Sequence, residues 1–468
     1  MNLRNAIGKV LSANVLSSVL SFTGLALFAR ELGPSGLAPF FLFQAAVGLL
    51  GLLANFGLTS AVEKRISERQ HAGRTLSTAI LLKALLLIPI TVGVIAIRPS
   101  INEYIGANVA LLLVGGIIVQ QFGTLGLKVI NGELRVGDTA VIILGQKVVW
   151  VGLGWILIEA NYGVYGIIWS FIVSWSVVIA WTIVRSDTDP SKPTVSMARS
   201  LLSFGGYAAI GSVGGYVYGW LDVAILGLFV AQKDIGIYEV TWRVAGFVMI
   251  FQTAVRTVIF PQISQWNATD NTQQIESLLE RALVPSLLFA IPALVGGILV
   301  GGNALSVIFG PRFSAGYLVL IIFLVEKIFR VIHLTLSPTL FAIDEPRFGY
   351  RGSAVAVVAN IILNFTLIPE FGIIGAAIAT ATSSLLGAAV NIWYLTRFIS
   401  IRLPVNDIRW MIVSSSVMAL IVAIADAVIK VNGPILLGLV VSFGVVSYGI
   451  CILVYTPIRS EVQRLVGG

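Results

Sequence analysis

Long apolar runs recur from one end of the chain to the other, and they constrain the fold more than any other feature. A helix needs about 20 predominantly apolar residues to cross a bilayer. Charged residues make up only 11% of the 468-residue chain, against about 25% in soluble domains. We therefore predict an all-α polytopic membrane protein of the cell (cytoplasmic) membrane with about 14 transmembrane helices. The predicted spans lie near residues 10–29, 37–58, 76–97, 106–127, 140–158, 163–184, 202–229, 236–261, 282–300, 314–337, 350–368, 373–396, 410–428 and 434–456.

The basic residues predict the orientation of these spans, because cytoplasmic loops are enriched in lysine and arginine. With the N-terminus inside, only five of the 30 basic residues fall in outer loops, namely Arg30, Arg98, Lys233, Arg312 and Lys430. One early span more or fewer would erase this asymmetry. Both termini are thus predicted to be cytoplasmic, and the net charge of +8 requires no nucleic-acid partner.

Two hairpins about 200 residues apart share a glycine pattern that indicates an internal repeat. In "LIEANYGVYGIIWS" (157–170) and "LIPEFGIIGAAIA" (367–379), Gly163 and Gly166 correspond to Gly372 and Gly375. Such parallel repeats are typical of transporters built from two related halves. The pattern predicts a six-helix lobe at 1–190, a second at 191–403 and an additional two-helix hairpin at 404–468.

Three segments resemble the oligosaccharide flippases in the polysaccharide-transporter branch of the multidrug/oligosaccharidyl-lipid/polysaccharide (MOP) exporter superfamily. They are "LALFARELGPSGLAPFFLFQ" (25–44), "WLDVAILGLFVAQKDIGIYEVTWRV" (220–244) and "VVANIILNFTLIPEFGIIGAAIATATSS" (357–384). The resemblance implies two pseudo-symmetric lobes of MATE-like fold. It also implies translocation of a lipid-linked oligosaccharide for cell-surface polysaccharide or glycoprotein biosynthesis.

Ionisable residues within the predicted spans are the candidate functional residues, because a charge at mid-bilayer costs about 2.5–3.5 kcal/mol on insertion scales. A polyprenyl-(pyro)phosphate head group is anionic, so we expect cations around a water-filled cleft between the lobes. The expected substrate-binding cations are Lys327, Arg330, Arg243, Arg256, Lys147, Lys83 and Arg30. The expected ion-coupling residues are Asp222, Glu326 and Glu239.

Several of these residues have an alternative interpretation. Two acid–arginine pairs have i,i+4 spacing and could neutralise each other, Glu326 with Arg330 and Glu239 with Arg243. Lys327 has no such local partner and is the strongest candidate for attracting the head group. Three of the cations, Lys83, Lys147 and Arg256, lie close enough to predicted span ends to extend to the interface. Arg30 ends the first span and is also interpreted as an outer-rim residue, and the alternative for Asp222 is a structural hydrogen bond.

Three classes of function compete at this point. The first is the flippase, moving an undecaprenyl- or dolichyl-linked oligosaccharide from the inner to the outer leaflet by alternating access. The second is an ion-coupled multidrug or organic-cation antiporter of the same superfamily, against which the surplus of basic residues in the spans argues. The third is a membrane enzyme, against which the short outer loops argue. We expect no catalytic residue, cofactor or metal, and a monomer in the lipid bilayer. The direction of transport could come from a gradient of H⁺ or Na⁺, from the membrane potential or from consumption of the product outside.

Overall fold

The backbone is described for residues 3–269, 271–429, 431 and 433–459 of a computed structural model. Within these ranges, the description leaves out the side chains of residues 3–11, 207, 208, 210–213, 217, 250, 251, 254 and 256–258. The described residues are helical, with no β-strand among them. The predicted all-α class is therefore confirmed.

Seventeen α-helices follow one another in the described chain, with one 3₁₀ turn at Pro311–Gly316. They are α1 (Leu3–Asn55), α2 (Leu58–Ser67), α3 (Ala72–Ala96), α4 (Arg98–Ile105), α5 (Ala110–Gly132), α6 (Val136–Glu159), α7 (Val164–Arg185), α8 (Val195–Phe229), α9 (Gln232–Gly246), α10 (Met249–Asn267), α11 (Thr272–Leu287), α12 (Ala290–Phe309), α13 (Tyr317–Leu336), α14 (Pro338–Ala342), α15 (Pro346–Leu395), α16 (Val405–Ile429) and α17 (Pro434–Val454).

Nine helical segments of the described chain are long and apolar enough to cross a membrane. Three of the nine, Ser12–Asn55, Thr272–Phe309 and Pro346–Leu395, contain 44, 38 and 50 residues. A single crossing needs about 20 residues, so each has the length of two. The predicted count of fourteen spans and the cytoplasmic placement of the termini stay predictions.

The chain divides into two compact units, residues 1–236 (unit 1) and 237–468 (unit 2), and the division falls within α9. The predicted lobe boundaries near residues 190 and 403 derive from the repeat and stay predictions. In unit 2, the last two helices share a buried apolar cluster with earlier ones. Met411 and Met418 of α16 and Val440 of α17 belong to this cluster together with Val300 of α12 and Val331 of α13.

The two repeated hairpins have the same backbone geometry at their turns. Gly163 adopts φ 55°, ψ −133° before α7, and Gly372 adopts φ 55°, ψ −132° within α15. Positive φ values are readily adopted only by glycine. One turn later, a Cβ on Gly375 would overlap the carbonyl oxygen of Leu367. The glycine pattern read from the sequence thus has a steric cause in both hairpins.

Replacement of Gly372 by alanine is expected to destabilise unit 2 by about 1–3 kcal/mol, the usual cost of a sparsely populated backbone conformation. Gly449→Ala in the middle of α17 is the matched control. A Cβ there meets no neighbouring atom within 4 Å, and alanine in a helix is about 1 kcal/mol more favourable than glycine. Unfolding in detergent, followed by circular dichroism, should therefore shift in opposite directions for the two variants. Equal shifts would contradict the strained-turn interpretation.

The connector after α7 is attached to unit 1 by a polar network. Arg135 donates to Asp187 Oδ2 at 2.8 Å and to the Arg185 carbonyl at 2.7 Å. Glu133 Oε1 accepts from Ser186 Oγ at 2.7 Å and from Thr188 Oγ1 at 2.8 Å. These bonds hold the start of the polar segment that leads to α8 against the ends of α5 and α6.

Candidate functional site

Five charged residues lie on α9 and α13 of unit 2, and we call this group the charge cluster. Its members are Glu239, Arg243, Glu326, Lys327 and Arg330. Aromatic contacts hold the two helices together, because the Phe323 ring packs edge-on against Tyr238 and Trp242, with centroid separations of 5.2 and 4.9 Å. The cluster therefore combines acids, cations and aromatic rings at the middle of α13.

Lys327 forms a buried ion pair with the residue that precedes it. Its Nζ donates to Glu326 Oε2 at 2.7 Å, and the two side chains are 2% and 0% exposed. The ammonium group also lies 3.6 Å from the centroid of the Trp242 ring, an arrangement that attracts a cation to the face of the indole. Lys327, which has no acid at i,i+4 spacing, therefore pairs with its immediate neighbour.

Glu326 also connects α13 to α15, since its Oε1 accepts a hydrogen bond from Ser384 Oγ at 2.9 Å. Lys327 lies ten residues from the start of α13, or about 15 Å at 1.5 Å per residue. In a buried pair of this kind, the Coulomb attraction must offset the large cost of removing both charges from water. Removal of one partner is therefore strongly destabilising, because the other charge stays buried alone. The pair thus fixes the packing of α13 in unit 2.

Glu239 and Arg243 form the second ion pair of the charge cluster, as their i,i+4 spacing predicts. Arg243 Nε donates to Glu239 Oε2 at 2.9 Å. The two side chains differ in exposure, because Arg243 is 29% exposed and Glu239 only 3%. The carboxylate therefore anchors a guanidinium group that remains accessible. Arg330 lies one turn beyond Glu326 on α13 and is half-buried.

Lys83 lies in unit 1, enclosed by neutral polar side chains. It is 0% exposed, and its Nζ donates to Gln121 Oε1 at 2.8 Å and to Asn55 Oδ1 at 3.3 Å. Because α3 begins earlier than the predicted span, Lys83 is eleven residues from its start, about 16 Å along the axis. Extension to the interface is therefore the wrong interpretation of this lysine, and its side chain is closed off from solvent in this structure.

The remaining predicted residues occupy varied environments in unit 1 and unit 2. Lys147 is half-buried on α6, with Nζ 5.5 Å from the Trp150 ring centroid, and Arg30 is exposed. Asp222 is buried, at 5% exposure on α8. Arg256 belongs to α10, and its side chain lies outside the described residues.

Four residues that contact the charge cluster or Lys83 were not among the predicted residues. They are Trp242 and Ser384 in unit 2, and Asn55 and Gln121 in unit 1. Each interrupts an apolar run with a polar or amphipathic side chain, and buried polar groups in such positions are almost always hydrogen-bonded. In the described ranges, no three His, Cys, Asp or Glu side chains are grouped so as to hold a metal ion.

Comparison with known proteins places the chain in a family. The sequence profile of a family described as "Polysaccharide biosynthesis protein" matches residues 9–316, and that of "Lipid II flippase MurJ" matches residues 207–448. The chain is 39% identical to a "Probable low-salt glycan biosynthesis flippase Agl15" of Haloferax volcanii, over 99% of this chain and 98% of the relative.

Solved structures share the fold. A lipid II flippase MurJ in an inward closed conformation aligns with a TM-score of 0.79 and 17% identity, over 98% of this chain and 99% of that chain. An inward-facing multidrug resistance MATE family transporter of the MOP superfamily aligns with a TM-score of 0.68 and 15% identity, over 81% and 94%. The expected MATE-like fold is confirmed.

The family and the long apolar helices together define a multi-pass protein of the cell membrane that transports rather than catalyses. The chain belongs to the oligosaccharide flippases of the MOP exporter superfamily. The resemblance seen in the three sequence segments is therefore confirmed.

Proposed function

We propose that the protein carries a polyprenyl-(pyro)phosphate-linked oligosaccharide from the inner to the outer leaflet of the cell membrane. The relative from Haloferax volcanii is named a glycan biosynthesis flippase, which supports a glycan as the passenger. The observation that carries the proposal is Arg243, a guanidinium group anchored within an apolar helical unit and 29% exposed.

An anchored arginine suits a phosphate group. The planar guanidinium carries five N–H donors in a fixed fork that matches phosphate oxygens. The bond from Nε to the buried Glu239 fixes the side chain before the head group arrives, so less entropy is lost on binding. Arg243 is the proposed contact to the phosphate, with Arg330, Arg256, Lys147 and Arg30 as the further candidate cations. Lys327 is proposed to hold α13 in place rather than to meet the head group directly.

The organic-cation antiporter is less well supported by the same geometry. A cationic drug would need the acids and the aromatic rings of the charge cluster as its ligands. Glu326 and the Trp242 ring already receive the ammonium group of Lys327, and Glu239 already receives Arg243. A cationic drug would therefore have to displace the Lys327 or Arg243 side chain from its carboxylate before it could bind.

The proposed transport cycle is alternating access, with the glycan loaded from the inner leaflet and released outward. The lipid tail would remain in the bilayer throughout, since burial of its methylene groups is worth about 0.8 kcal/mol each. Undecaprenyl and dolichyl carriers share the phosphate chemistry, and both satisfy the proposal. A monomer is sufficient for this cycle.

Deletion of the gene is expected to leave a lipid-linked glycan on the inner leaflet of the host membrane, because synthesis continues while export stops. The measurement is mass spectrometry of extracted lipids, combined with labelling of intact cells by a sugar-reactive reagent that does not cross the membrane. Complementation with the wild-type gene is the control. Unchanged lipid-linked glycans together with new sensitivity to cationic drugs would contradict the proposal and favour the antiporter.

A further inference from the structure

The most unusual buried group outside the charge cluster is Lys83. Its fully enclosed amine has no carboxylate within 4.0 Å of Nζ among the described residues. An ammonium ion at such a depth loses its hydration, and neutral acceptors replace only part of it. A residue in this position either serves as a costly fixed charge or exchanges a proton.

The polar residues around Lys83 continue toward one end of unit 1. Asn55, which accepts from Lys83, donates through Nδ2 to Thr59 Oγ1 at 3.1 Å. One turn further along α2, Glu63 accepts from Lys128 Nζ at 2.6 Å. We call the series Lys83, Asn55, Thr59 and Glu63 the polar track.

The polar track is closed at Lys83 and open at Glu63. Lys83, Asn55 and Thr59 are 0%, 8% and 9% exposed, whereas the side chains of Lys128 and Glu63 are 38% and 36% exposed. The distance from Thr59 to Glu63 along α2 is one helical turn of four residues, about 6 Å. A gap of this length has room for one bridging water, and acids and hydroxyl groups in series are the parts from which proton relays are built.

Among the described side chains, no acid of a neighbouring helix pairs with Lys83. The packed helices α1 and α5 contribute its acceptors Asn55 and Gln121, and Thr59 of α2 accepts from Asn55. Two further helices pack on α3, and their acids, Glu103 of α4 and Asp222 of α8, lie beyond 4.0 Å of Nζ. The nearest charged groups on α2 and α5, Glu63 and Lys128, are paired with each other.

We infer that Lys83 is a proton-binding residue that couples flipping to a proton gradient, and that Glu63 is the end of the polar track where protons enter or leave. The inference rests on the proposed function, because it names a coupling ion for that transport. Binding adds one proton to the neutral amine and creates the ammonium ion. Release of that proton toward Glu63 restores the neutral amine. The charge of unit 1 then changes by one with each exchange.

The test uses purified protein in vesicles that contain a pH-sensitive dye, with the lipid-linked glycan fraction extracted from the deletion host as substrate. Flipping is followed with and without an imposed pH gradient. For the wild-type protein, the gradient should accelerate flipping by about 5–150-fold, the factor that typical coupling free energies produce. Flipping should also move protons across the vesicle membrane. Absence of any flipping would contradict the proposed function itself. Flipping that ignores the gradient and moves no protons would overturn the inference alone.

Variants separate proton exchange from a fixed charge. Lys83→Met is permanently neutral and Lys83→Arg is permanently charged, so both should lose the response to the gradient while still eluting as folded protein. Lys192→Met, which removes an exposed lysine of the connector after α7, is the control and should keep the response. Full response in Lys83→Met or in Lys83→Arg would overturn the inference. Glu63→Gln, at the accessible end of the track, should slow proton movement even if the Lys83 variants do not fold, and unchanged proton movement there would also overturn it.

Discussion

Replacement of Glu326 by alanine lowers the free energy of unfolding by about 3–5 kcal/mol, the usual cost of breaking a buried ion pair from one side. The variant leaves the ammonium group of Lys327 at 2% exposure without its carboxylate. It also removes the acceptor of Ser384. The measurement is denaturant-induced unfolding in detergent, followed by tryptophan fluorescence, with Trp242 as a local reporter.

The control for Glu326 is an ion pair in the same unit with one exposed partner. Arg347 Nε donates to Glu345 Oε2 at 2.8 Å, and the two side chains are 68% and 24% exposed. Exposed pairs contribute about 0–1 kcal/mol, so Glu345→Ala should have little effect on unfolding. The double variant Glu326→Leu/Lys327→Met should recover most of the lost stability, because it removes both charges together. Equal effects of Glu326→Ala and Glu345→Ala would contradict the buried-pair account.

Charge reversal at Arg243 abolishes flipping. Arg243→Glu places a carboxylate where the phosphate of the passenger is proposed to bind, and beside Glu239. The loss of a charge-assisted contact costs about 1.5–3 kcal/mol, so even Arg243→Gln should reduce flipping by about 10–150-fold. The measurement is the leaflet distribution of the glycan lipid in deletion cells that express each variant.

Two controls accompany the Arg243 variants. Arg243→Lys keeps the charge but loses the planar fork, so it should retain an intermediate rate. Arg281→Glu reverses an exposed arginine near the middle of α11, whose Nε donates to the Ser277 carbonyl of its own helix at 3.2 Å, and should transport normally. Wild-type export in cells that express Arg243→Glu would remove Arg243 from the proposed phosphate contacts.

The helical segments and the turns of the two repeated hairpins could be predicted from the sequence, because both depend on residues close together in the chain. Apolar runs determine where helices lie in a bilayer. Gly163 and Gly372 could be paired from their spacing alone, and their backbone angles agree within a degree or two. The pairing of Glu239 with Arg243 was also foreseeable, because residues four apart face each other on a helix.

The partner of Lys327 was not foreseeable from helical spacing. Adjacent residues point about 100° apart on a helix, so the i,i+4 pattern favoured Arg330 as the partner of Glu326. The Lys327 ammonium group, packed against Trp242 of another helix, also lies at Glu326. Only the packing of α9 on α13 decides this, and that packing is not encoded in the spacing of one helix.

The depth of Lys83 was likewise misjudged because helix ends are poorly marked in an apolar sequence. The helix begins at Ala72, eleven residues before the lysine, and the lysine side chain is fully enclosed by other helices. Its acceptors, Asn55 and Gln121, come from α1 and α5. Contacts between residues so distant in the chain follow from tertiary packing alone.

In the proposed function, this protein moves a phosphate-bearing glycan lipid across the membrane with Arg243 as a contact to the phosphate. The most direct test is a leaflet assay on vesicles with a fluorescently labelled polyprenyl-phosphate glycan and a membrane-impermeant quencher. Wild-type protein should bring the inner-leaflet probe to the quencher at a rate well above that of empty vesicles, and Arg243→Glu should return the rate to that of empty vesicles. Equal rates in wild-type and empty vesicles would contradict the flippase account.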